Sequence, residues 1–186
     1  MPVAGFSERM GRWKPELSWK GRPLLTVVAE RALAHCGRLL VVTGFRATDV
    51  PRLLPEDPRI RLLHNDGFEL GMFSSIQTAL PEVSADTFFV FLADMPAVPA
   101  EVVARLAAPE ISTWIRPAYK GRPGHPVRIH RRLVPELLEL DRRTGAMRQV
   151  LHRYEGGILE TDEPGVYVDL DRPEDFARLG EAGAGP

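Results

Sequence analysis

Glycines and cationic residues cluster near the start of the 186-residue chain, in the segment 5–14 (GFSERMGRWK). Glycine allows backbone N–H groups to approach an anion closely, and guanidinium and ammonium groups neutralise the charge of a phosphate. The segment therefore predicts a phosphate-binding loop, with an ordinary solvated surface loop as the alternative. It is neither a Walker A loop, which ends in Gly-Lys-Ser/Thr, nor the dinucleotide fingerprint.

Two aspartates occupy positions typical of magnesium ligands. Asp94 follows the apolar run 88–92 (FFVFL), and Asp171 lies in the segment 169–175 (DLDRPED), on the same side of the extended chain as Asp169. Mg²⁺ takes one or two protein carboxylates and completes its octahedron with water and phosphates. Asp94 and Asp171 could therefore share one Mg²⁺, while a turn or helix N-cap role is the alternative for each of them.

A histidine lies between glycine and proline in the segment 119–127 (YKGRPGHPV). Because glycine permits close backbone approach, His125 could contact a substrate, or it could hydrogen-bond within its own loop. The chain has no Gly-x-Ser-x-Gly motif and no His pair at metal-ligand spacing, and its single cysteine, Cys36, excludes an intrachain disulfide. Phosphoryl or nucleotidyl transfer needs none of these, because alignment and charge neutralisation carry the catalysis of such reactions.

The elements that must position these residues alternate between strand and helix in the first half of the chain. Apolar runs indicate strands at 1–4, 39–42, 60–63, 88–92 and 113–115, and helical spacing indicates helices at 24–36, 48–54, 71–80 and 100–107. Such alternation predicts a parallel sheet with helices on both faces, which binds ligands at the carboxyl ends of its strands. Because the chain starts at Met1, its first strand is expected to be very short.

The second half alternates less regularly. Its patterns predict helices at 133–140 and 145–154, short strands at 158–159 and 166–168, and a terminal helix opened by Pro173. The small residues at 181–186 predict a disordered tail, and residues 1–180 are expected to form a single domain.

Composition and charge exclude several classes of protein. A net charge of −1 offers no general attraction to a nucleic-acid backbone or to an anionic membrane surface. No apolar run approaches the ~18–20 residues of a membrane span, and no signal peptide is recognisable. A cytoplasmic protein with no nucleic-acid and no membrane partner is therefore expected.

The chemically distinctive segments together resemble the MobA-like nucleotidyltransferase family, and within it the molybdenum cofactor cytidylyltransferase branch. The resemblance covers nearly the whole chain and is carried by 4–14 (AGFSERMGRWK), 21–25 (GRPLL), Asn65 with 71–76 (GMFSSI), 92–96 (LADMP), 121–127 (GRPGHPV), 144–148 (TGAMR) and 169–175 (DLDRPED). It implies an α/β fold, a Rossmann-like three-layer sandwich with a mostly parallel sheet, of the nucleotide-diphospho-sugar transferase type.

The resemblance also implies roles for individual residues. The nucleotide would contact the first loop and the 71–76 segment, at Ala4, Gly5, Ser7, Arg9, Lys14, Ser74 and Ser75. Mg²⁺ would bind Asp94 and Asp171, and the acceptor would face Gly124 and His125. Lys14, Arg9 and Asp94 would be the catalytic residues.

The reaction implied by the resemblance is attack of the phosphate of a molybdopterin-type cofactor on the α-phosphate of CTP or GTP, with release of pyrophosphate. The Gly-His-Pro-Val segment favours cytidine and the pterin acceptor. Two alternatives stay open at this point. One is a non-catalytic maturation factor that binds the cofactor or a molybdenum hydroxylase, and the other is a nucleotidyltransferase that acts on a sugar or alditol phosphate.

Overall fold

A computed structural model describes residues 1–7, 11–108, 112–170 and 175 of the chain. Its strands, numbered in chain order, are β1 (Ser18–Trp19), β2 (Arg22–Pro23), β3 (Leu39–Thr43), β4 (Ile60–His64), β5 (Thr87–Val90), β6 (Trp114–Tyr119), β7 (Arg122–Pro123), β8 (Val127–His130) and β9 (Gly156–Thr161). Its α-helices are α1 (Leu24–Leu33), α2 (Met72–Ala79), α3 (Ala100–Ala107), α4 (Val134–Glu139) and α5 (Arg148–Leu151).

Strand β3 forms a two-stranded parallel sheet with β4, whereas β5, β6, β7, β8 and β9 form a five-stranded sheet. The other edge of β3 carries the amino-terminal segment, where the N–H of Val3 donates to the carbonyl of Val42 (2.8 Å). The predicted first strand is an extended segment that makes one parallel bridge, between Pro2 and Val42. This pairing brings the segment that follows, beginning at Gly5, to the carboxyl end of β3.

The sheet is mixed because β6, β7 and β8 fold back on one another. Lys120 and Gly121 connect β6 to β7 with φ angles of 50° and 72°, and positive φ at both central residues is what a type I′ hairpin turn requires. The returning chain lets β8 pair antiparallel with both β6 and β5, whereas β9 pairs with β6 in parallel. The segment 119–127, which holds His125, therefore contains a tight hairpin.

Two apolar clusters on opposite faces of the sheet account for its layers. The first apolar cluster contains buried side chains of α1, α3 and β3 together with Ile115 of β6. The second apolar cluster contains those of α2, α4, α5 and β8, and Trp114 packs against it. Because successive residues of a strand point to opposite faces, adjacent residues of β6 serve different clusters. The predicted α/β three-layer fold class is confirmed.

Most predicted elements lie within a few residues of the observed ones, and the helix at 100–107 coincides with α3. The strand predicted at 166–168 is wrong, because Pro164–Val166 form a 3₁₀ turn. Proline has no N–H to donate to a strand ladder. The turn also packs closely: a Cβ atom added at Gly165 would lie 2.1 Å from the carbonyl oxygen of Ala97.

Two predictions concern residues outside the described ones, namely the terminal helix opened by Pro173 and the tail at 181–186. The single domain at 1–180 stays a prediction. Among the described helices, none combines the length and the apolar character that crossing a bilayer would need.

Candidate active site

A cleft of about 350 Å³ lies at the carboxyl ends of the strands. It is lined by residues from the amino-terminal segment, from the turn that precedes α2, and from the segment that follows β5. The predicted site residues that line it are Ala4, Gly5, Ser7, Lys14, Ser75 and Asp94. Tertiary structure therefore brings together residues from three separate parts of the sequence.

A larger cavity, of about 530 Å³, lies between the start of β3 and β5. Its lining is mostly apolar and shares only Ser75 with the predicted site residues. Size alone would favour this cavity, but the chemistry of a phosphate site requires cations, backbone donors and a carboxylate. Those groups line the smaller cleft, which is therefore the candidate active site.

The phosphate loop is anchored at its carboxyl end. The N–H of Lys14 donates to Oγ of Ser7 (3.0 Å), and Ser7 has a positive φ of 60°. The indole of Trp13 is buried, and the guanidinium of Arg46 lies 4.6 Å from the ring centroid. These contacts hold both ends of the loop beside the cleft, whereas Arg9 lies outside the described residues.

Lys14 and Asp94 form the central ion pair of the cleft. The ammonium nitrogen of Lys14 lies 3.0 Å from Oδ2 of Asp94, although the two residues are 80 positions apart. Their side chains are 17% and 26% exposed, respectively, so both remain accessible to a ligand. The N–H of Leu170 donates to the carbonyl of Asp94 (2.9 Å), which holds the segment before Asp171 against the cleft. Asp171 itself lies outside the described residues.

The carboxylate of Asp94 fits a magnesium-type ion. Mg²⁺ needs only one or two protein carboxylates, because water and substrate phosphates supply its remaining ligands. Asp94 is partly exposed and faces the cleft that also holds the phosphate loop. Within the described ranges, no group of three His, Cys, Asp or Glu side chains forms an all-protein metal cage. The donor set thus suits a cation that arrives with a phosphate ligand.

Asn65 positions the start of α2. Its side chain is 1% exposed and donates through Nδ2 to Oγ of Ser74 (2.9 Å) and to Oγ of Ser75 (3.0 Å). Ser74 in turn donates to the carbonyl of Gly71 (2.8 Å), so its hydroxyl is used within the protein behind the cleft. Ser75 lines the cleft. Of the two serines expected to contact the nucleotide, the structure places Ser75 at the site and Ser74 behind it.

Gly124 and His125 lie where the β6–β8 hairpin contacts the turn at Pro164–Val166. The N–H of Gly124 donates to the carbonyl of Pro117 (2.7 Å), and the N–H of His125 donates to the carbonyl of Val166 (2.8 Å). A side chain at Gly124 has no room, since a Cβ atom would lie 2.0 Å from the Val166 oxygen. Neither residue lines the cleft, and their role toward an acceptor stays a prediction.

The imidazole of His125 is held in its neutral form. Burial is the main cause that lowers its pKa below the ordinary value, and the nearby guanidinium of Arg116 lowers the pKa further. The carbonyl of Val90, 3.4 Å from Nδ1, and the carboxylate of Asp94 oppose this effect. His125 is therefore within electrostatic reach of Asp94, and near neutral pH it offers a hydrogen bond rather than a charge.

Three residues near the site were missed from the sequence. Phe6, 41% exposed, packs against Phe45 and Phe68 with ring centroids 5.0 Å and 5.3 Å away. Arg142 donates to Oδ1 of Asn65 (2.9 Å), and Arg116 donates to the carbonyl of Gly124 (3.3 Å). Arg116 left one signal, because a cation interrupts the apolar pattern of β6.

Comparisons with known proteins agree with this geometry. A model of the MobA-like NTP transferase domain matches residues 3–157. The molybdenum cofactor cytidylyltransferase of Escherichia coli (strain K12) is 28% identical over 174 residues, which cover 94% of this chain and 90% of that protein.

Solved structures show the same architecture. A homologue of Mycobacterium tuberculosis Rv0371c, from Mycobacterium sp. strain JC1, superposes with a TM-score of 0.79 at 29% identity, covering 96% of this chain and 92% of that one. Rv0371c of Mycobacterium tuberculosis H37Rv in complex with manganese superposes with a TM-score of 0.75 at 22% identity, covering 96% and 94% of the two chains. The second likeness concerns the fold alone.

Proposed function

The chain belongs to the MobA-like NTP transferase family, a family of nucleotidyltransferases, and from that premise we propose that it transfers CMP from CTP to the phosphate of a molybdopterin-type cofactor. The observation that carries the proposal is the meeting of the phosphate loop with the Asp94 carboxylate in one cleft, through the 3.0 Å contact with Lys14. A metal–triphosphate ligand needs a carboxylate for its metal ion and a cation for its phosphates, and this pair supplies both.

The nucleoside triphosphate binds along the phosphate loop. Backbone N–H groups around Gly5 contact the phosphates, and the side chains of Lys14 and Arg9 neutralise their charge. Ser75 lines the same cleft and contacts the nucleotide. Binding exchanges the Lys14–Asp94 ion pair for a Lys14–phosphate contact, which frees the carboxylate.

Asp94 and Asp171 hold a divalent cation in this proposal, with Mg²⁺ preferred. The manganese complex of the mycobacterial neighbour supports a divalent cation in this fold. The chemistry that such an ion supplies is neutralisation of charge on the triphosphate. Leu170 donates a hydrogen bond to the Asp94 carbonyl. Asp171 follows Leu170 directly in the sequence, which supports Asp171 as the second ligand.

Transfer requires one bond to form and one to break. An oxygen of the acceptor phosphate attacks the α-phosphorus, the bond between the α-phosphorus and its bridging oxygen to the β-phosphate breaks, and pyrophosphate leaves with the electron pair. No general base is needed, because a phosphate monoester is already ionised near neutral pH. Lys14 stabilises the charge that develops on pyrophosphate, and neutral His125 hydrogen-bonds to the acceptor.

The acceptor and the base rest on two further observations. The Escherichia coli relative is a molybdenum cofactor cytidylyltransferase, which supports a pterin acceptor and cytidine. His125 is within electrostatic reach of Asp94, so we assign the Gly124-His125 segment to the acceptor side of the site. GTP as donor and a sugar or alditol phosphate as acceptor are the competing outcomes of the experiment below.

The test begins with thermal unfolding in the presence of each of the four ribonucleoside triphosphates, with and without Mg²⁺ or Mn²⁺. A ligand at about 100 times its dissociation constant adds about 2.7 kcal/mol of stability, which is readily measured. We expect a metal-dependent rise with CTP. Pyrophosphate release is then measured with the molybdopterin acceptor and with sugar and alditol phosphates.

Asp94→Asn tests the role of the carboxylate. The variant should lose the metal-dependent part of the stability shift and reduce turnover by at least about a hundredfold, as expected for loss of a metal ligand at a charge-neutralising site. Asp162→Asn removes one carboxylate from an exposed position and is the matched control. Unchanged turnover in Asp94→Asn, or no response of the wild-type chain to any nucleotide, would refute the proposed function.

A further inference from the structure

Arg116 is a half-buried cation on an otherwise apolar face of the sheet. The two-residue period of β6 places it on the same face as Trp114, which packs against the second apolar cluster. Its Nε donates to the carbonyl of Gly124 (3.3 Å), and burial lowers its pKa. Within the part of the chain that the structure describes, no carboxylate forms an ion pair with it.

Several other arginines of this chain have their charge compensated. Arg46, Arg59 and Arg61 each pair with a carboxylate at 2.6 Å. Arg128 is more buried than these, but it donates to the carbonyl of Ala108, at the carboxyl end of α3, where helix carbonyls stabilise a cation. Among the described residues, Arg116 has one long hydrogen bond, from Nε to a neutral carbonyl, and neither of its terminal nitrogens has a partner there.

An uncompensated, half-buried charge lowers the stability of the folded protein. Proteins retain such unpaired buried charges mainly at functional sites, where a bound ligand pairs with the charge. An anion is the ligand that would complete this one. A guanidinium group matches a phosphate well, because two parallel N–H donors contact two of its oxygens.

The surroundings of Arg116 identify which phosphate this is. Arg116 contacts Gly124 directly, and His125 is within electrostatic reach of both Arg116 and Asp94. The guanidinium therefore adjoins the acceptor side of the site, whereas the phosphate loop reaches Asp94 through Lys14. Lys14 and Arg116 are thus two separate cations, one paired with Asp94 and the other beside Gly124.

We propose that Arg116 binds the phosphate of the acceptor, a phosphate monoester dianion, and holds its attacking oxygen toward the α-phosphorus of the nucleotide. This assignment rests on the proposed function, because it names the residue that recognises the acceptor of that reaction. Arg116 then contributes to the KM for the acceptor and has no contact with the nucleoside triphosphate.

The experiment compares the wild-type chain with Arg116→Gln and with Arg105→Gln, which removes the same charge from an exposed position on α3. Binding of inorganic phosphate is measured by titration calorimetry with the nucleotide site saturated by CTP and Mg²⁺. We expect Arg116→Gln to weaken phosphate binding by roughly tenfold to a hundredfold, as for loss of a charge-assisted hydrogen bond. Arg105→Gln should bind phosphate as the wild type does.

Kinetics and stability provide two further readings. In Arg116→Gln the KM for the acceptor should rise while the KM for CTP stays constant, and the unliganded variant should be at least as stable as the wild type. Should the glutamine variant not fold, Arg116→Lys keeps the charge but loses the paired donors and should give an intermediate loss of phosphate affinity.

Two results would overturn the assignment of Arg116. One is unchanged phosphate affinity in Arg116→Gln, and the other is a rise in the KM for CTP in place of the acceptor. Failure of the wild-type chain to bind any nucleotide is a different result, which refutes the proposed function. The phosphate titration without nucleotide then still shows whether Arg116 is an anion site.

Discussion

Replacement of Gly124 by alanine tests how the acceptor side is held in place. A Cβ atom at this position would lie 2.0 Å from the carbonyl oxygen and 2.7 Å from the carbonyl carbon of Val166. Both atoms belong to the backbone, so no rotation of a side chain relieves the contact. The hairpin and the turn at Pro164–Val166 must separate by roughly an ångström or more before an ordinary van der Waals distance is reached.

The separation has a cost that follows from the structure. Overpacking of this kind costs about 1–3 kcal/mol. The N–H of His125 also loses its 2.8 Å hydrogen bond to Val166, which is worth about 1 kcal/mol. Alanine lowers the entropy of the unfolded chain and offsets about 0.4–1 kcal/mol of this. We expect Gly124→Ala to lower the free energy of unfolding by about 1–3 kcal/mol, or a few degrees in Tm.

The matched control is Gly37→Ala. A Cβ atom at Gly37 meets nothing within 4 Å, and the residue does not have a positive φ. Denaturant unfolding should therefore show unchanged or slightly increased stability for this variant. Kinetics on Gly124→Ala should show an increased KM for the acceptor, because His125 moves with the hairpin, and an unchanged KM for the nucleotide.

The reasoning fails on a specific result. Innocuous surface substitutions change the free energy of unfolding by no more than about 0.5 kcal/mol. If the change in Gly124→Ala is no larger than this, the close approach to Val166 does not constrain the hairpin. Unchanged acceptor kinetics in the same variant would show in addition that the position of His125 does not depend on this contact.

Two other perturbations test the supports of the site. Arg142→Ala removes the hydrogen bond to Oδ1 of Asn65 (2.9 Å), so it should lower the free energy of unfolding by about 1–3 kcal/mol and raise the KM for the nucleotide. Arg143→Ala, at an exposed neighbouring position, should change neither quantity. Equal effects of the two substitutions would contradict a specific role of Arg142. Burial lowers the pKa of His125 below its ordinary value of 6.5, so the unfolded chain takes up a proton at this histidine more readily than the folded chain does. The contribution of His125 to the free energy of unfolding is therefore highest above pH 6.5 and declines as the pH falls below that value. His125→Gln should flatten this acid-side decline in urea unfolding measured from pH 7.5 to 5, and His152→Gln, at an exposed position, should not; a decline that is unchanged in His125→Gln would assign it to other groups.

Much of the fold could be predicted because its signals are local. The apolar run at 39–42 and the helical spacing at 100–107 each define an element without reference to the rest of the chain, and β3 and α3 occur there. The segment 5–14 could also be singled out as a candidate phosphate loop, because its glycines and cations lie within ten residues. Family membership follows from such ordered local segments.

Local patterns fail where packing against a distant residue decides the backbone. The strand expected at 166–168 is replaced by a turn that packs on Ala97 and Gly124. Neither partner is near it in sequence, and the local signal for a turn, the Pro164-Gly165 pair, lies just before the apolar residues that favour a strand.

The sequence by itself determined the chemical inventory of this protein: a phosphate loop, an aspartate after a buried strand, and a histidine beside a glycine. Tertiary structure alone decided which of these groups meet. Lys14 contacts Asp94 across 80 positions. Ser74 and Ser75 differ by one residue, yet only Ser75 lines the cleft. Consecutive residues of a helix point about 100° apart, so the docking of α2 on Asn65 and β3, and not the residue type, selects the serine that lines the cleft.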